Sequence, residues 1–243
     1  MKVSVIIPMY NESRIIADTA KRLSDYMSGA FEDYEIIFCD DGSRDGSKKI
    51  VEELDLPNVR AVGYERNRGK GHAVRFAMLA ATGDVRIFTD ADLAYGTEVI
   101  AHAAEIMKNT PDTDMLIGSR NVGKDGYEGY TFSRKFMSKL YIKVLCLFGG
   151  FKLSDSQCGF KCFTAKTAED IFSLCEVDGF AFDFEVILLA VKQGKKISEM
   201  PVKIINHRES TVRPMSDAFK MLGDIRRIKK NVKGRKKNES RDT

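Results

Sequence analysis

The sequence predicts an α/β protein built on a doubly wound, mostly parallel sheet, finished toward its C-terminus by amphipathic, interfacial helices. Three observations predict it. Short apolar runs of strand length alternate with helical patterns through the first half of the 243-residue chain, and a βαβαβ order of that kind implies a mostly parallel sheet. The unusual polar residues of that half fall just past the strand ends, where open α/β sheets bind ligands. Beyond Gly123 the alternation gives way to longer helices carrying basic stripes.

In order, residues 2–7 read as a strand and 14–27 as a helix started by Ser13. Strand 34–39, helix 47–54, strand 59–63 and helix 70–81 follow, then strand 85–89, helix 98–108 and strand 114–118. Residues 123–129 form a polar, glycine-rich loop. The helix expected over 132–148 puts Met137, Leu140, Tyr141, Val144, Leu145 and Phe148 on one side, with Lys135, Lys139 and Lys143 as a basic stripe beside them. That is the composition of a helix lying in a membrane interface. A strand over 157–163, a helix over 182–192 and a short strand over 203–206 come next. A second basic, amphipathic helix is expected over 214–232. Residues 1–213 thus read as one domain and 214–243 as a basic helix and tail, with no internal repeat.

The apolar fraction, 43%, is that of an ordinary globular protein. The five cysteines (Cys39, Cys146, Cys158, Cys162, Cys175) are an odd set without zinc-site spacing, which reads as reduced thiols in a cytosolic protein. No signal peptide is visible, because the apolar run from Val3 to Met9 is short and Asn11 and Glu12 follow at once. No stretch approaches the roughly 18 to 20 apolar residues of a membrane span, so any membrane contact is expected at the surface. The net charge of +4 hides an asymmetry: residues 225–237 hold eight basic residues and no acidic one, leaving the rest of the chain net acidic. A basic tail suits anionic lipid. Nothing outside the tail points to nucleic acid, and no nucleic-acid partner is expected.

The chemistry gathers in the loops. Asp90-Ala91-Asp92 follows the apolar run 85–89. An isolated Asp-x-Asp also fits a turn or a helix cap, but at the end of the fourth strand of a β/α series both carboxylates can point into one cleft. Hard oxygen ligands there suit Mg²⁺ or Mn²⁺, and such a metal suits a diphosphate. In Pro8-Met9-Tyr10-Asn11-Glu12, Tyr10 can stack on a base and Glu12 can accept from ribose hydroxyls. In Asp40-Asp41-Gly42-Ser43, one Asp can accept from a base N–H. Asn67-Arg68-Gly69-Lys70-Gly71 is a glycine-rich basic turn opening a helix, a ready anion site. There is no Walker sequence and no Gly-x-Gly-x-x-Gly, which speaks against ordinary ATPases and dinucleotide enzymes. Asp183 and Glu185 fit a general base for a hydroxyl acceptor, and equally a helix-start cap or an arginine partner. His72, His102 and His207 have no ligand spacing.

Val-Ile-Ile-Pro-Met-Tyr-Asn-Glu, Asp-Asp-Gly-Ser-Arg-Asp-Gly, Asn-Arg-Gly-Lys-Gly and Asp-Ala-Asp-Leu-Ala, in that order, resemble the inverting glycosyltransferases of family 2, which have the GT-A fold. Gly118-Ser119-Arg120, the run from Asp155 to Lys161, and Phe182-Asp183-Phe184-Glu185 are similar to the branch that makes polyprenyl-phosphate sugars. The resemblance implies that Pro8, Tyr10, Glu12 and Asp41 bind the nucleoside, with Lys70 and Ala91 also at the donor. It implies that Asp90 and Asp92 handle the diphosphate through Mg²⁺ or Mn²⁺, Asp92 foremost. Arg120 and Arg134 would face the acceptor phosphate, and Arg208 and Arg213 could clamp phosphates. Two departures stand out. Ala94 replaces the Gln usual in mannose synthases, which favours the glucosyl branch, and Glu209-Ser210-Thr211-Val212-Arg213 replaces the family's Gly-Ser-Lys. The implied activity is transfer of a hexose, glucose first, from a UDP-sugar to a polyprenyl phosphate at the cytoplasmic membrane face. With no membrane span of its own, the chain would rely on a flippase partner to move such a product across. A saccharide hydroxyl acceptor and a non-catalytic nucleotide-sugar-binding membrane protein stand as the alternatives.

Overall fold

A computed structural model describes residues 1–123, 126, 132–206 and 224–232, with the side chains of 132–137 excepted. Its elements are β1 (Val3–Met9), α1 (Ile16–Ala30), β2 (Tyr34–Asp41), α2 (Ser47–Glu53), β3 (Val59–Tyr64), α3 (Lys70–Ala80), β4 (Val85–Phe88), α4 (Glu98–Asn109), β5 (Met115–Ser119), α5 (Phe132–Gly149), β6 (Lys161–Thr164), α6 (Ala165–Phe172), α7 (Phe182–Lys192) and β7 (Ile197–Pro201). One sheet runs in the order β3-β2-β1-β4-β6-β5-β7. Every pairing is parallel except those of β6, which runs antiparallel to both β4 and β5. β1 and β2 are buried almost throughout, as expected of strands covered on both faces.

Several elements differ from the sequence pattern; the strand expected over 157–163 is the shorter β6, Lys161–Thr164. α1 begins at Ile16 without a side-chain cap; Ser13 lies upstream and turns to Asp45 instead, its backbone N–H donating to Asp45 Oδ2 at 2.9 Å and its side chain also hydrogen-bonding to Asp45. The last strand is Ile197–Pro201, upstream of the expected 203–206. Residues after Pro201 instead cross the loop beyond β4, with Ile205 N–H donating to Ala94 O at 2.8 Å. α6 was not expected; Thr164 caps it by accepting from Thr167 N, and Ala168, Ile171 and Phe172 are its buried face. The stretch 224–232 is helical, and Ile225, Ile228 and Val232, at helical spacing, lie in the core; 214–223 lies outside the described residues. Among the described residues no helix is long and apolar enough to cross a membrane. All five cysteines are free thiols, and burial pushes Cys39 up to about 12, which makes it inert.

Behind the sheet, Glu35 ties three strands together. Its Oε1 accepts from Ser4 Oγ at 2.7 Å and from Thr82 N at 2.6 Å, and its Oε2 accepts from Arg60 at 3.2 Å. Burial pushes the Glu35 carboxyl up, but the hydrogen bonds from Thr82, Ser4 and Arg60 outweigh it and hold the pKa at about 2. A carboxyl depressed on folding adds stability above its unfolded value, about 4.3, and that stability is lost as pH falls toward the folded value. Glu35→Gln is therefore expected to lower stability by about 1–3 kcal/mol at pH 7. It should also flatten the fall in stability between pH about 4.5 and about 2. Urea unfolding at several pH values tests this; parallel curves for the two proteins would remove Glu35 from the acid response.

Candidate active site

The strands β1, β2 and β4 deliver their loops to one end of the sheet. The first two loops are stitched together: Asn11 N–H donates to Ser43 Oγ at 2.9 Å, Arg44 N–H to Asn11 Oδ1 at 2.9 Å, and Glu12 N–H to Ser47 Oγ at 2.8 Å. Asn11 takes a left-handed conformation, φ 54°, which turns the chain sharply after β1. Pro8 is half-buried within β1. Tyr10 is 46% exposed, so its ring is open to a stacking partner.

The two acids after β2 divide their work. Asp41 is spent on its own chain: its carboxylate accepts from Tyr64 Oη at 2.7 Å, Asn67 Nδ2 at 2.8 Å, Arg68 N at 2.8 Å and Gly69 N at 2.9 Å. A carboxylate offers about four acceptor sites, so these fill it, and Asp41 holds the 67–71 loop rather than presenting an open carboxylate to a base. Asp40 accepts from Ser43 N with one oxygen, while its buried Oδ1 has no hydrogen-bond partner among the described residues. A buried orphan acceptor is costly unless something donates to it.

After β4 the chain turns through Asp90, Ala91 and Asp92. Asp90 pairs with Lys70 Nζ. Gly159 lies so close that a Cβ there would meet Asp90 Oδ2 at 2.1 Å, so a larger residue would have to displace the Asp90 carboxylate. Asp92 Oδ1 accepts from Ala94 N at 3.1 Å. Ala91 is buried, and its carbonyl accepts from Thr19 Oγ1 at 2.7 Å, so it anchors the turn. Asn206 Nδ2 donates to Leu93 O at 2.9 Å, fixing the turn from the other side.

The remaining expected residues are placed unevenly. Arg120, expected at the acceptor phosphate, directs Nε and Nη2 to the fully buried Asp155 at 2.6 and 2.9 Å. Asp155 N–H and the Ser154 hydroxyl in turn donate to Glu199, so Arg120 locks the loop before β6 onto β5. Asp183, a candidate base, forms a buried ion pair with Lys161. Glu185, the other candidate, accepts from Glu176 N at 3.0 Å and Val177 N at 2.8 Å. Arg134 falls within α5, but its side chain lies outside the described residues, as do Arg208 and Arg213. The sequence marks the run from Asp155 to Lys161 only as a resemblance and gives neither Asp155 nor Lys161 a role; Asn206 is missed altogether. Lys161 carries a further signal, a cation inside an apolar strand.

A model described as glycosyl transferase family 2 matches residues 4–172. This chain belongs to that family. It is a glycosyltransferase, and its relatives include the dolichyl-phosphate beta-glucosyltransferase of Dictyostelium discoideum, 33% identical with 93% of this chain and 73% of the relative covered. The dolichyl-phosphate beta-glucosyltransferase of Saccharomyces cerevisiae is 29% identical, covering 92% and 72%. Glucosyl-3-phosphoglycerate synthase from Mycobacterium tuberculosis superposes with a TM-score of 0.68 at 17% identity, over 96% of this chain and 79% of that one. Mannosyl-3-phosphoglycerate synthase from Rubrobacter xylanophilus gives 0.69 at 16% identity, over 99% and 75%. At these identities the solved structures establish the glycosyltransferase's GT-A fold and nothing finer.

Proposed function

We propose that this glycosyltransferase moves glucose from UDP-glucose to a polyprenyl phosphate at the cytoplasmic face of a membrane, with inversion at the anomeric carbon. One observation carries the choice of acceptor: both candidate general bases are engaged in the protein's own contacts, Asp183 through one oxygen with Lys161 and Glu185 through one oxygen with two backbone N–H groups. A sugar hydroxyl needs a base to take its proton. A phosphate monoester does not, since its second pKa is about 6 and it is largely dianionic at neutral pH. The dolichyl-phosphate acceptor named for the relatives supports the same reading.

At the donor, the open Tyr10 ring would stack on the base, and the orphan Asp40 Oδ1, in place of the filled Asp41, would accept from a base N–H. Asp90 and Asp92 would hold Mg²⁺ or Mn²⁺. Among the described residues no cluster of three or more potential ligands exists, and Lys70 takes one oxygen of Asp90. Such a set is too small to cage a metal alone but fits one shared with substrate phosphates. A neighbour in fold was crystallised with Mn²⁺ and UDP-glucose. When bound, the metal neutralises the leaving diphosphate. Lys70, at the N-terminus of α3, adds positive charge beside it. The acceptor phosphate then attacks the face opposite the departing UDP, giving a β-linked product from an α-linked donor.

The basic helix α5 is the proposed membrane contact. Leu147 is 81% exposed and Leu140 46% exposed beside Lys139 and Lys143, a face suited to anionic headgroups over acyl chain. The test is to incubate the protein with Mn²⁺, a polyprenyl phosphate and a panel of UDP- and GDP-sugars, reading the product by mass spectrometry. Glucosyl-phosphate lipid from UDP-glucose is expected, faster on anionic than on neutral vesicles at low salt. Transfer to a free saccharide, or to no lipid phosphate at all, would overturn the reading.

A further inference from the structure

Lys70 begins α3, and the residue before it, Gly69, supplies no capping side chain. Another segment does that work. The carbonyl of Asp178 accepts from His72 N at 3.2 Å, in the first turn of α3. The Asp178 carboxylate accepts from Arg75 Nη2 at 2.8 Å, lies 3.1 Å from His72 Nδ1, and faces Arg68 at 3.9 Å. Arg75 also donates to His72 Nδ1 at 2.7 Å and, through Nη1, to Cys175 O at 2.7 Å. Burial above all pushes His72 below its ordinary value, so at neutral pH the ring is uncharged and its Nδ1 accepts from Arg75. The 176–178 segment is itself held by Glu185 through Glu176 N and Val177 N. The fit against the Lys70 loop is tight: Gly69 has φ 111°, and a Cβ there would sit 2.4 Å from Asp178 O.

The 67–71 loop is thus gripped from two sides, by Asp41 on the sheet and by Asp178 on the segment before α7. We propose that Asp178, with Arg75 as its bridge, is a positioning residue that sets the Lys70 ammonium against Asp90. The carboxylate at the N-terminus of α3 also favours the helix dipole. Asp178 acts only through Lys70 and touches no substrate. The inference rests on the reading that Lys70 serves the donor diphosphate, but the placement of Lys70 can be tested without turnover.

Two readouts separate these. In the full chain, Asp178→Ala should lower kcat by about 10- to 100-fold with a much smaller change in donor KM, the scale expected when a catalytic group is misplaced by about 1 Å. Asp178→Asn keeps an acceptor for Arg75 and should restore most of the rate. In a Lys70→Ala background, Asp178→Ala should cost little more, because its target is gone. Alongside, brief acylation with an amine-reactive ester, read by mass spectrometry, should label Lys70 several-fold faster in Asp178→Ala, since the wild-type side chain is only 24% exposed. Labelling at the exposed Lys166 should not change. Unchanged labelling of Lys70, or additive losses in the double variant, overturns the proposal. A wild-type protein that transfers no hexose would sink the proposed function, while the labelling still decides the positioning role.

Discussion

Asp92→Ala is expected to abolish hexose transfer, with a loss of about a thousandfold or more, while the protein stays folded. The size follows from the chemistry: a metal at a departing diphosphate supplies several kcal/mol of transition-state stabilisation, and each 1.36 kcal/mol is about tenfold in rate. The survival of the fold follows from the loop. Asp92 Oδ1 accepts from Ala94 N, but the same turn is held by Thr19 at Ala91 O and by Asn206 at Leu93 O. Asp92→Asn separates the two roles, since an amide oxygen can keep the turn hydrogen bond but carries no charge for a cation. Both variants should melt within a few degrees of wild type, and both should lose the Mn²⁺-dependent part of UDP binding by calorimetry. Turnover within tenfold of wild type in Asp92→Ala would remove the metal assignment from this turn.

How much of this was legible in the sequence depends on how local each feature is. The first five strands and the loops after them could be read because each is a contiguous run whose apolar period and polar ending are written side by side. Arg120 could not be placed, since its partner Asp155 lies 35 residues away and nothing in Gly118-Ser119-Arg120 announces a buried carboxylate. Asp41 looked like an open acceptor because the four groups that fill it come from 64–69, on the next strand and loop. β7 differs because only Ile204 and Ile205 give 203–206 its strand signal, while Ile197–Pro201 carries Ser198 and Glu199 and reads no more apolar; Pro201, which cannot donate to a ladder, ends the pairing at Ser119. The antiparallel insertion of β6 between β4 and β5 separates two strands that follow each other in the chain, and periodicity carries no information about such order.

Lys161→Met tests the least legible part of the site. Lys161 is fully buried, donates to Cys158 O at 2.7 Å, pairs with Asp183, and lies 5.4 Å from the Phe88 ring centroid. Methionine fills a similar volume without the charge, so the loss is electrostatic: Asp183 stays in the core without its cation. Breaking a buried pair from one side costs about 3–5 kcal/mol, which for a protein of this size lowers the melting temperature by about 6–20 °C. The pH dependence has a definite sign. Burial already raises the Asp183 carboxyl, and Lys161 is the main influence lowering it; without Lys161 the folded value climbs further. A carboxyl raised on folding costs nothing below its unfolded value, about 3.9, and stability is lost as pH rises from there through the folded value. The deficit of Lys161→Met should therefore be small near pH 4 and full at pH 8, measured by urea unfolding. Adding Asp183→Asn removes the stranded charge and should recover most of the stability. If that double variant also transfers to polyprenyl phosphate within about tenfold of wild type, Asp183 is not a base, since loss of a general base costs about 10²–10⁴. A double variant that folds but loses transfer by that larger factor would return Asp183 to the chemistry and reopen the hydroxyl acceptor.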